Sequence, residues 1–212
     1  MFKKSVAAFT LAWAVALSTP LYAANGSGAA IIPTPQSSLS VAEKTDLLFM
    51  REEEKLARDV YLTLYESWKL TVFSNIASSE QSHMDAILKL LRTYSLPDPA
   101  AGNEIGEFTD PALQTLYNTL IAKGAISALD ALQVGGIIEE TDMHDLVEAI
   151  EHSDNADIDA TYESLLCGSR NHLRAFAGSL TSMTGQPYTA QVITQDEVDL
   201  ILSSPVEQCG RR

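Results

Sequence analysis

Charged side chains stand where the helical core of this chain should be apolar. Apolar residues recur at spacings of three and four through most of the sequence, the pattern of amphipathic helices. Four of these stripes are interrupted by a glutamate or a histidine: Glu54, Glu80 with His83, Glu139 and His172. Because burying an unpaired carboxylate is costly, the pattern indicates a metal site inside a bundle of helices.

The stripes and their caps predict an all-α domain. Ser40 and Glu43 form a capping box before the first helix, and Asp110-Pro111 supplies an N-cap followed by proline. A connection of about 30 residues separates the second and third long helices, a length that suits a crossover holding a short helix. The predicted long helices span residues 43–70, 71–94, 127–151 and 157–184, with short helices at 111–123 and after Thr194.

The N-terminal residues have the layout of a secretory signal peptide. Two lysines precede an apolar run over residues 6–17 and a small-residue region ending at Ala24. The run is too short for an ordinary membrane span, although Leu21 leaves an uncleaved anchor as the alternative. We therefore expect export to the periplasm or the cell exterior, with no stable membrane span after cleavage. The predicted organisation is a signal peptide at 1–24, a flexible linker at 25–42, the helical domain at 43–184 and a tail at 185–212.

The net charge limits the expected binding partners, and the cysteine count limits the expected covalent bonds. The formal charge is −14, and the predicted signal peptide carries two lysines and no acid. So acidic a chain is a poor partner for nucleic acid or anionic lipid surfaces. Cys167 and Cys209 are an even pair, which permits a disulfide in an exported protein. Their spacing does not give their distance, and it is not a metal-ligand pattern.

The spacing of Glu80 and His83 has a direct chemical consequence. Residues three apart lie on one helix face, so both side chains could reach one metal ion or bridge two. Carboxylates with imidazoles suit iron, manganese or zinc. On the third long helix, Glu140 competes with Glu139 for the ligand position, but only Glu139 continues the stripe.

Structural roles are the alternative for each of these residues. Glu52 and Glu53, the two glutamates directly before Glu54, are expected to face water, and Glu54 could be a solvated edge residue beside them. His172 could be a core histidine bonded to a neighbouring backbone group or to Ser169. Tyr61 is expected to be a core tyrosine, with a hydrogen bond to a metal ligand as its alternative role.

Four segments resemble a known family. They are EKLARDVYLTLY (54–65), FSNIASSEQSHM (73–84), GGIIEETDMHDL (135–146) and GSRNHLRAF (168–176). They are similar to ferritin-like di-iron carboxylate domains of the rubrerythrin type, and most similar to a bacterial ferritin-like domain family of unknown function. The resemblance implies a ferritin-like four-helix bundle with two metal ions, iron first and manganese or zinc as alternatives. Its implied ligands are Glu54, Glu80, His83, Glu139 and His172.

One position departs from the family pattern. Ser169 stands where the fourth helix of such proteins usually offers a glutamate, and serine is a poor ligand for these metals. Asp142 lies three residues after Glu139 on the same face, and rubrerythrins resemble this in offering a second acid there. We predict that Asp142 replaces the missing carboxylate, with a surface acid as the alternative. The four carboxylates would then balance the charge of two divalent ions.

The resemblance implies two classes of function. The first is an enzyme in which two iron ions reduce dioxygen or peroxide, or in which Fe(II) is oxidised. Rubrerythrins also carry an iron centre held by four cysteines, and this chain has only two, so electrons would come from an external donor. The second is a metal-binding, structural or interaction module of the cell envelope with a degenerate site. The sequence leaves open whether the protein is catalytic and whether it forms a homodimer.

Overall fold

The computed structural model describes residues 38–210, and these residues form six helices and no strand. The expected helices are confirmed, and every helix end for which a position was predicted lies within two residues of it. None of the described helices is long and apolar enough to cross a membrane. The predicted signal peptide and most of the predicted linker lie outside the described residues. The helices are α1 (Val41–Trp68), α2 (Thr71–Thr93), α3 (Pro111–Gly124), α4 (Ala128–His152), α5 (Ala156–Thr184) and α6 (Gln195–Ser203).

Local capping explains where the helices begin. The Ser40 hydroxyl accepts the backbone N–H of Glu43 at 3.1 Å, and the Glu43 carboxylate accepts the N–H of Ser40 at 2.7 Å. Asp110 caps α3 by accepting the N–H of Ala112 at 2.7 Å. These bonds satisfy backbone donors that have no partner within the first helical turn.

The four long helices pack side by side and leave a polar layer between two apolar clusters. Helix α1 lies along α2 and α4 lies along α5, while α1 also contacts α4 and α2 also contacts α5. One apolar cluster includes the rings of Tyr61, Phe73 and Phe176, which pack at tilted angles, and the other includes Leu47 and Ile87. On each long helix, the predicted ligands lie at or beside the boundary between the clusters. The fold therefore places them in its interior.

The expectation that Glu52 and Glu53 face water is wrong. Glu52 is 3% exposed and Glu53 is 5% exposed. Glu52 accepts the backbone N–H groups of Thr109 at 2.6 Å and Asp110 at 2.9 Å, so the connection before α3 lies over this part of α1. Because α1 contacts α2, α3 and α4, more than one face of the helix is covered. A single apolar stripe does not reveal this.

Glu140 has a structural role. Its carboxylate is fully buried and accepts the Tyr188 hydroxyl at 2.6 Å. It also accepts the backbone N–H groups of Gln191 at 2.9 Å, Val192 at 2.6 Å and Ile193 at 3.0 Å. Glu140 therefore anchors the segment before α6 to α4.

A disulfide holds the end of the tail against α5. Cys167 and Cys209 are bonded, with their Cα atoms 5.7 Å apart. Nearby, Glu207 accepts hydrogen bonds from Arg170 and Arg174. The pairing that the cysteine count permitted is thus present in the fold, and it closes the tail over the helix that carries His172.

Glu43 should make the stability of the fold dependent on acidic pH. Burial opposes its charge, but hydrogen bonds from Asn155, Ser40 and Asp154 outweigh burial and lower the pKa of Glu43 to about 2. A lowered pKa adds stability above the unfolded-state value of about 4.5, and this is lost as pH falls towards 2. We expect Glu43→Gln to lower the free energy of unfolding by about 2–3 kcal/mol at pH 7.

Urea unfolding between pH 7 and pH 3 measures this effect. The difference in the free energy of unfolding between the natural protein and Glu43→Gln should become smaller below about pH 4.5. Glu66→Gln, which removes an exposed carboxylate from the same helix, should change stability by less than about 0.5 kcal/mol. A gap that stays constant with pH would show that Glu43 acts through packing alone.

Candidate metal centre

Five of the six predicted ligands meet in the polar layer. Each is less than one tenth exposed: Glu54 from α1, Glu80 and His83 from α2, Glu139 from α4 and His172 from α5. They come from all four long helices, so the group exists only when those helices are packed together.

Glu80 lies at the middle of the group, between two imidazoles. Its Oε2 atom is 2.8 Å from Nδ1 of His83, and its Oε1 atom is 2.8 Å from Nδ1 of His172. The rings of the two histidines lie with their centroids 5.5 Å apart. One carboxylate therefore faces both histidines through its two oxygens.

Each imidazole also faces a carboxylate of its own. Nδ1 of His83 is 3.2 Å from Oε2 of Glu54, and Nδ1 of His172 is 3.3 Å from Oε2 of Glu139. Glu80 thus belongs to two groups of three ligand atoms, and within each group the atoms lie within 4.8 Å of one another. Either group could hold a metal ion.

Several polar atoms of this layer have no hydrogen-bond partner. They include Oε1 of Glu54, Oδ1 of Asp142 and Nδ1 of His172. Carboxylate oxygens of Glu80 and Glu139 lie 2.8 Å and 3.3 Å from Nδ1 of His172. Since buried polar groups in proteins are almost always bonded, these unpartnered atoms are candidates for binding a metal ion.

Neighbouring side chains orient the group. The Tyr61 hydroxyl donates to Oε1 of Glu139 at 2.5 Å, so this core tyrosine also fixes a predicted ligand. Nε2 of His172 lies 2.9 Å from the Ser79 hydroxyl, which leaves Nδ1 facing the carboxylates. Bonds of this kind hold metal ligands in a fixed orientation.

Gly168 makes room for His83. A Cβ atom at this position would lie 2.5 Å from Nε2 of His83 and 2.7 Å from Cε1. The imidazole therefore packs directly on the backbone of α5, with Nδ1 turned towards Glu54 and Glu80.

Burial and charge act in opposite directions on the ionisation of these groups. Burial favours a neutral Glu80, but the imidazoles of His172 and His83 hold the pKa of Glu80 well below its usual range. Burial disfavours charged imidazoles, but Glu54 and Glu80 raise the pKa of His83 well above its ordinary value. In the same way, Glu80 and Glu139 raise the pKa of His172 to about 10. In the metal-free protein, protons on both imidazoles therefore balance part of the carboxylate charge.

The pKa values of Glu54 and Glu139 are shifted in the opposite direction to that of Glu80. Burial raises the pKa of Glu54 to about 7, against the attraction of His83. Burial also raises the pKa of Glu139 above its usual value, although the imidazole of His172 opposes this. The site thus concentrates more carboxyl groups than its two histidines can neutralise.

Asp142, the sixth predicted ligand, lies next to Ser169 and outside both groups of three. It is 6% exposed and accepts the Ser169 hydroxyl through Oδ2. Burial and the nearby carboxylate of Glu54 raise its pKa well above the usual range. Asp142 is therefore a buried acid at the position where α5 lacks one, and the surface alternative for it is wrong.

Sequence reasoning missed Glu53. This carboxyl is buried, and its Oε2 atom has no hydrogen-bond partner. Burial and the carboxyls of Asp142 and Asp145 raise its pKa well above the usual range. The only sign of its burial in the sequence is the run of three glutamates at 52–54. Successive residues point in different directions around a helix, so they cannot all face water when several sides of the helix are covered.

Comparison with known proteins places the chain in a family. Residues 43–205 match the model of an uncharacterized protein domain, DUF2202. The chain is 51% identical over 174 residues to the uncharacterized protein MJ0754 of Methanocaldococcus jannaschii, covering 82% of this chain and 94% of that protein. It is also similar to the crystal structure of hypothetical protein MJ0754 from Methanococcus jannaschii. There the TM-score is 0.79 at 50% identity, over 82% of this chain and 99% of that one. The family model spans all the residues of the candidate site, and the chain belongs to the DUF2202 family.

Proposed function

We propose that this protein holds a dinuclear metal centre inside a ferritin-like four-helix bundle. The observation that carries the proposal is the position of Glu80, whose two oxygens each lie 2.8 Å from a different imidazole. Each imidazole has a second carboxylate beside it. A carboxylate shared between two such groups is suited to bridging two metal ions.

The chemistry of the donors supports this proposal. Carboxylates and imidazoles together suit iron, manganese or zinc, and iron is the metal that the ferritin-like resemblance favours. With Asp142 included, four carboxylates would balance two divalent ions. The unpartnered atoms Oε1 of Glu54, Oδ1 of Asp142 and Nδ1 of His172 are the kind of groups that such ions would satisfy.

The arrangement of helices supports the ferritin-like assignment. Helices α1 and α2 form one neighbouring pair and α4 and α5 form the other. Residues 94–127 connect the two pairs and contain α3, which contacts α1 and α4. A long connection between two helix pairs is the feature that distinguishes ferritin-like bundles from simple up-and-down bundles.

In the proposed enzyme, two bound iron ions would supply redox chemistry towards dioxygen or peroxide, or towards Fe(II). The chain's own residues would hold and orient the ligands. Tyr61 fixes Glu139, and Ser79 fixes His172. Apolar clusters lie on both sides of the polar layer, and each of the five residues that meet there is less than one tenth exposed to solvent. Both cysteines are used in the disulfide, so an external donor would provide electrons.

Metal analysis of the purified protein tests the proposal. We expect two metal ions per chain by elemental analysis, and new optical bands after anaerobic loading with Fe(II). Consumption of oxygen or peroxide by the iron-loaded protein would support the enzyme. Bound iron without consumption would favour the non-catalytic metal-binding module, and a protein that binds no metal would overturn the dinuclear centre.

Asp142→Asn is expected to weaken binding of one of the two ions by about 10- to 100-fold. The physical reason is that Asp142 supplies the carboxylate that Ser169 does not. Adding Ser169→Glu should recover the lost affinity, since positions 142 and 169 are already in contact. The new amide at 142 can donate to the new carboxylate at 169. Calorimetric titration with Fe(II) under anaerobic conditions measures both affinities.

Asp85→Asn is the matched control, because Asp85 is an exposed acid of α2 away from the centre. It should retain both ions. If Asp142→Asn also retains both, the centre has three carboxylates, and a single-metal or degenerate site is the better interpretation.

We also propose export to the periplasm or the cell exterior. The signal-peptide pattern of residues 1–24 supports it, and so does the Cys167–Cys209 disulfide, because such bonds persist mainly in oxidising compartments. N-terminal sequencing of protein recovered from the membrane-free exported fraction tests this, with a mature chain beginning near residue 24 or 25 as the expected result.

A further inference from the structure

Glu53 is a buried carboxyl that the proposed centre does not use. It is 5% exposed, and its Oε2 atom has no hydrogen-bond partner. The basic residues nearest to it in the chain pair with other groups. Arg51 donates to Asp98 at 2.9 Å, and Lys55 donates to Asp59. Neither of these two cations is therefore paired with Glu53 to offset the cost of its burial.

Two aspartates lie near Glu53 where α4 packs against α1, and one of them, Asp145, shares a hydrogen bond with it. Asp142 is buried and lies towards the centre, and burial and the nearby carboxylate of Glu54 raise its pKa. Asp145, one turn further along the same face of α4, is 27% exposed. The carboxyls of both aspartates raise the pKa of Glu53. These three residues therefore form a row of acids from the interior towards the surface.

The outer end of the row opens into an acidic cavity. A cavity of about 240 Å³ lies between α1 and α4, and its polar lining is Asp46, Asp145, Glu148 and His152. At its edge, His144, Asp145 and Glu148 offer ligand atoms within 4.8 Å of one another. Glu148 and His152 are more than half exposed, so solvent reaches this end. An opening lined by one sign of charge concentrates ions of the opposite sign.

We propose that Glu53, with Asp145 outside it and Asp142 inside it, holds a divalent cation in transit between this cavity and the buried metal centre. The inference rests on the proposed function, since it needs a centre to be filled. Glu53 offers a free oxygen to the ion, and Asp142 offers its free Oδ1 atom on the inner side. The ion would then move towards Glu54, which is the next residue after Glu53 on α1 and lies inside the centre.

The rate at which the metal-free protein takes up Co(II) tests this route. The full chain is stripped of metal with a chelator and mixed with Co(II), and visible absorption follows filling of the centre. Glu53→Gln keeps the shape of the side chain and removes its charge. It should slow filling by about tenfold or more, while the final Co(II) content stays equal to that of the natural protein.

Glu151→Gln is the matched control. It removes one exposed acid from α4 outside the cavity lining, and should change the rate by less than about twofold because exposed charges are screened by salt. Asp145→Asn is a second test variant at a partly exposed position, where loss of the fold is not expected. It should slow filling as Glu53→Gln does.

Three outcomes would overturn the route. Filling of both test variants at the natural rate would remove the transit role. A lower final Co(II) content in Glu53→Gln would make Glu53 a ligand of the centre instead. Failure of the natural protein to take up Co(II) at all would refute the proposed function itself, which is a result distinct from a rate difference between variants.

Discussion

Glu80→Gln is expected to empty both halves of the candidate metal centre, whereas Asp85→Asn on the same helix leaves the metal content unchanged. Glu80 is the only ligand that belongs to both groups of three atoms among the described residues. Mutating a residue that merely supports a metal ligand lowers affinity by about 10- to 100-fold, so loss of a shared ligand should exceed about 100-fold.

The measurement is metal content per chain after dialysis, together with the melting temperature with and without metal. The natural protein should melt at a higher temperature with metal, because the ions bind the folded state. This increase should be absent in Glu80→Gln and retained in Asp85→Asn.

Folding of Glu80→Gln has to be checked separately. Glu80 faces two imidazoles, and removing one partner of a buried charge pair typically costs about 3–5 kcal/mol. Circular dichroism of the metal-free variants shows whether the helices are intact. A folded Glu80→Gln protein that still holds two ions would rule out Glu80 as the shared ligand.

Gly168→Ala is expected to destabilise the protein and to remove one metal ion, although alanine is the better helix former. In a helix interior, replacing glycine with alanine normally stabilises by about 0.5–1 kcal/mol. At position 168 the added Cβ would lie 2.5 Å from Nε2 of His83. The imidazole would have to turn away from Glu54 and Glu80, and overpacking of this kind costs about 1–3 kcal/mol.

Gly178→Ala is a control on the same helix. Gly178 is exposed, and a Cβ there would meet nothing within 4 Å, so this variant should be slightly more stable than the natural protein. The expected metal content is two ions in Gly178→Ala and one in Gly168→Ala, because the group around His172 is not touched. Equal metal content and equal stability in both variants would show that the His83 ring adjusts without leaving the centre.

Local signals explain why much of the helical structure could be predicted. Capping residues such as Ser40 and Asp110 bond to backbone groups within three residues of themselves. Helix boundaries therefore depend on short segments, and a sequence shows those segments directly. The positions of Glu54, Glu80 and His172 in their apolar stripes are local in the same sense, since a stripe reports which face of one helix is buried.

Contacts between distant segments explain the errors. Glu52 was expected to face water, but the backbone of Thr109 and Asp110 lies against it. The sequence presented Glu140 only as an alternative to Glu139 for the metal-ligand position, but Glu140 binds the backbone of residues 191–193. Each of these bonds joins residues more than 50 positions apart, and no periodicity within one helix encodes such a distance.

The sequence by itself determined the six helices and five polar residues that interrupt their apolar stripes, namely Glu54, Glu80, His83, Glu139 and His172. Only the tertiary structure decided that Glu80 lies between His83 and His172, that Asp142 meets Ser169, and that Cys167 pairs with Cys209. The physical reason is that a helix forms through bonds within one segment. The centre forms only when four helices bring their side chains together, and the free energy of that packing depends on the whole chain.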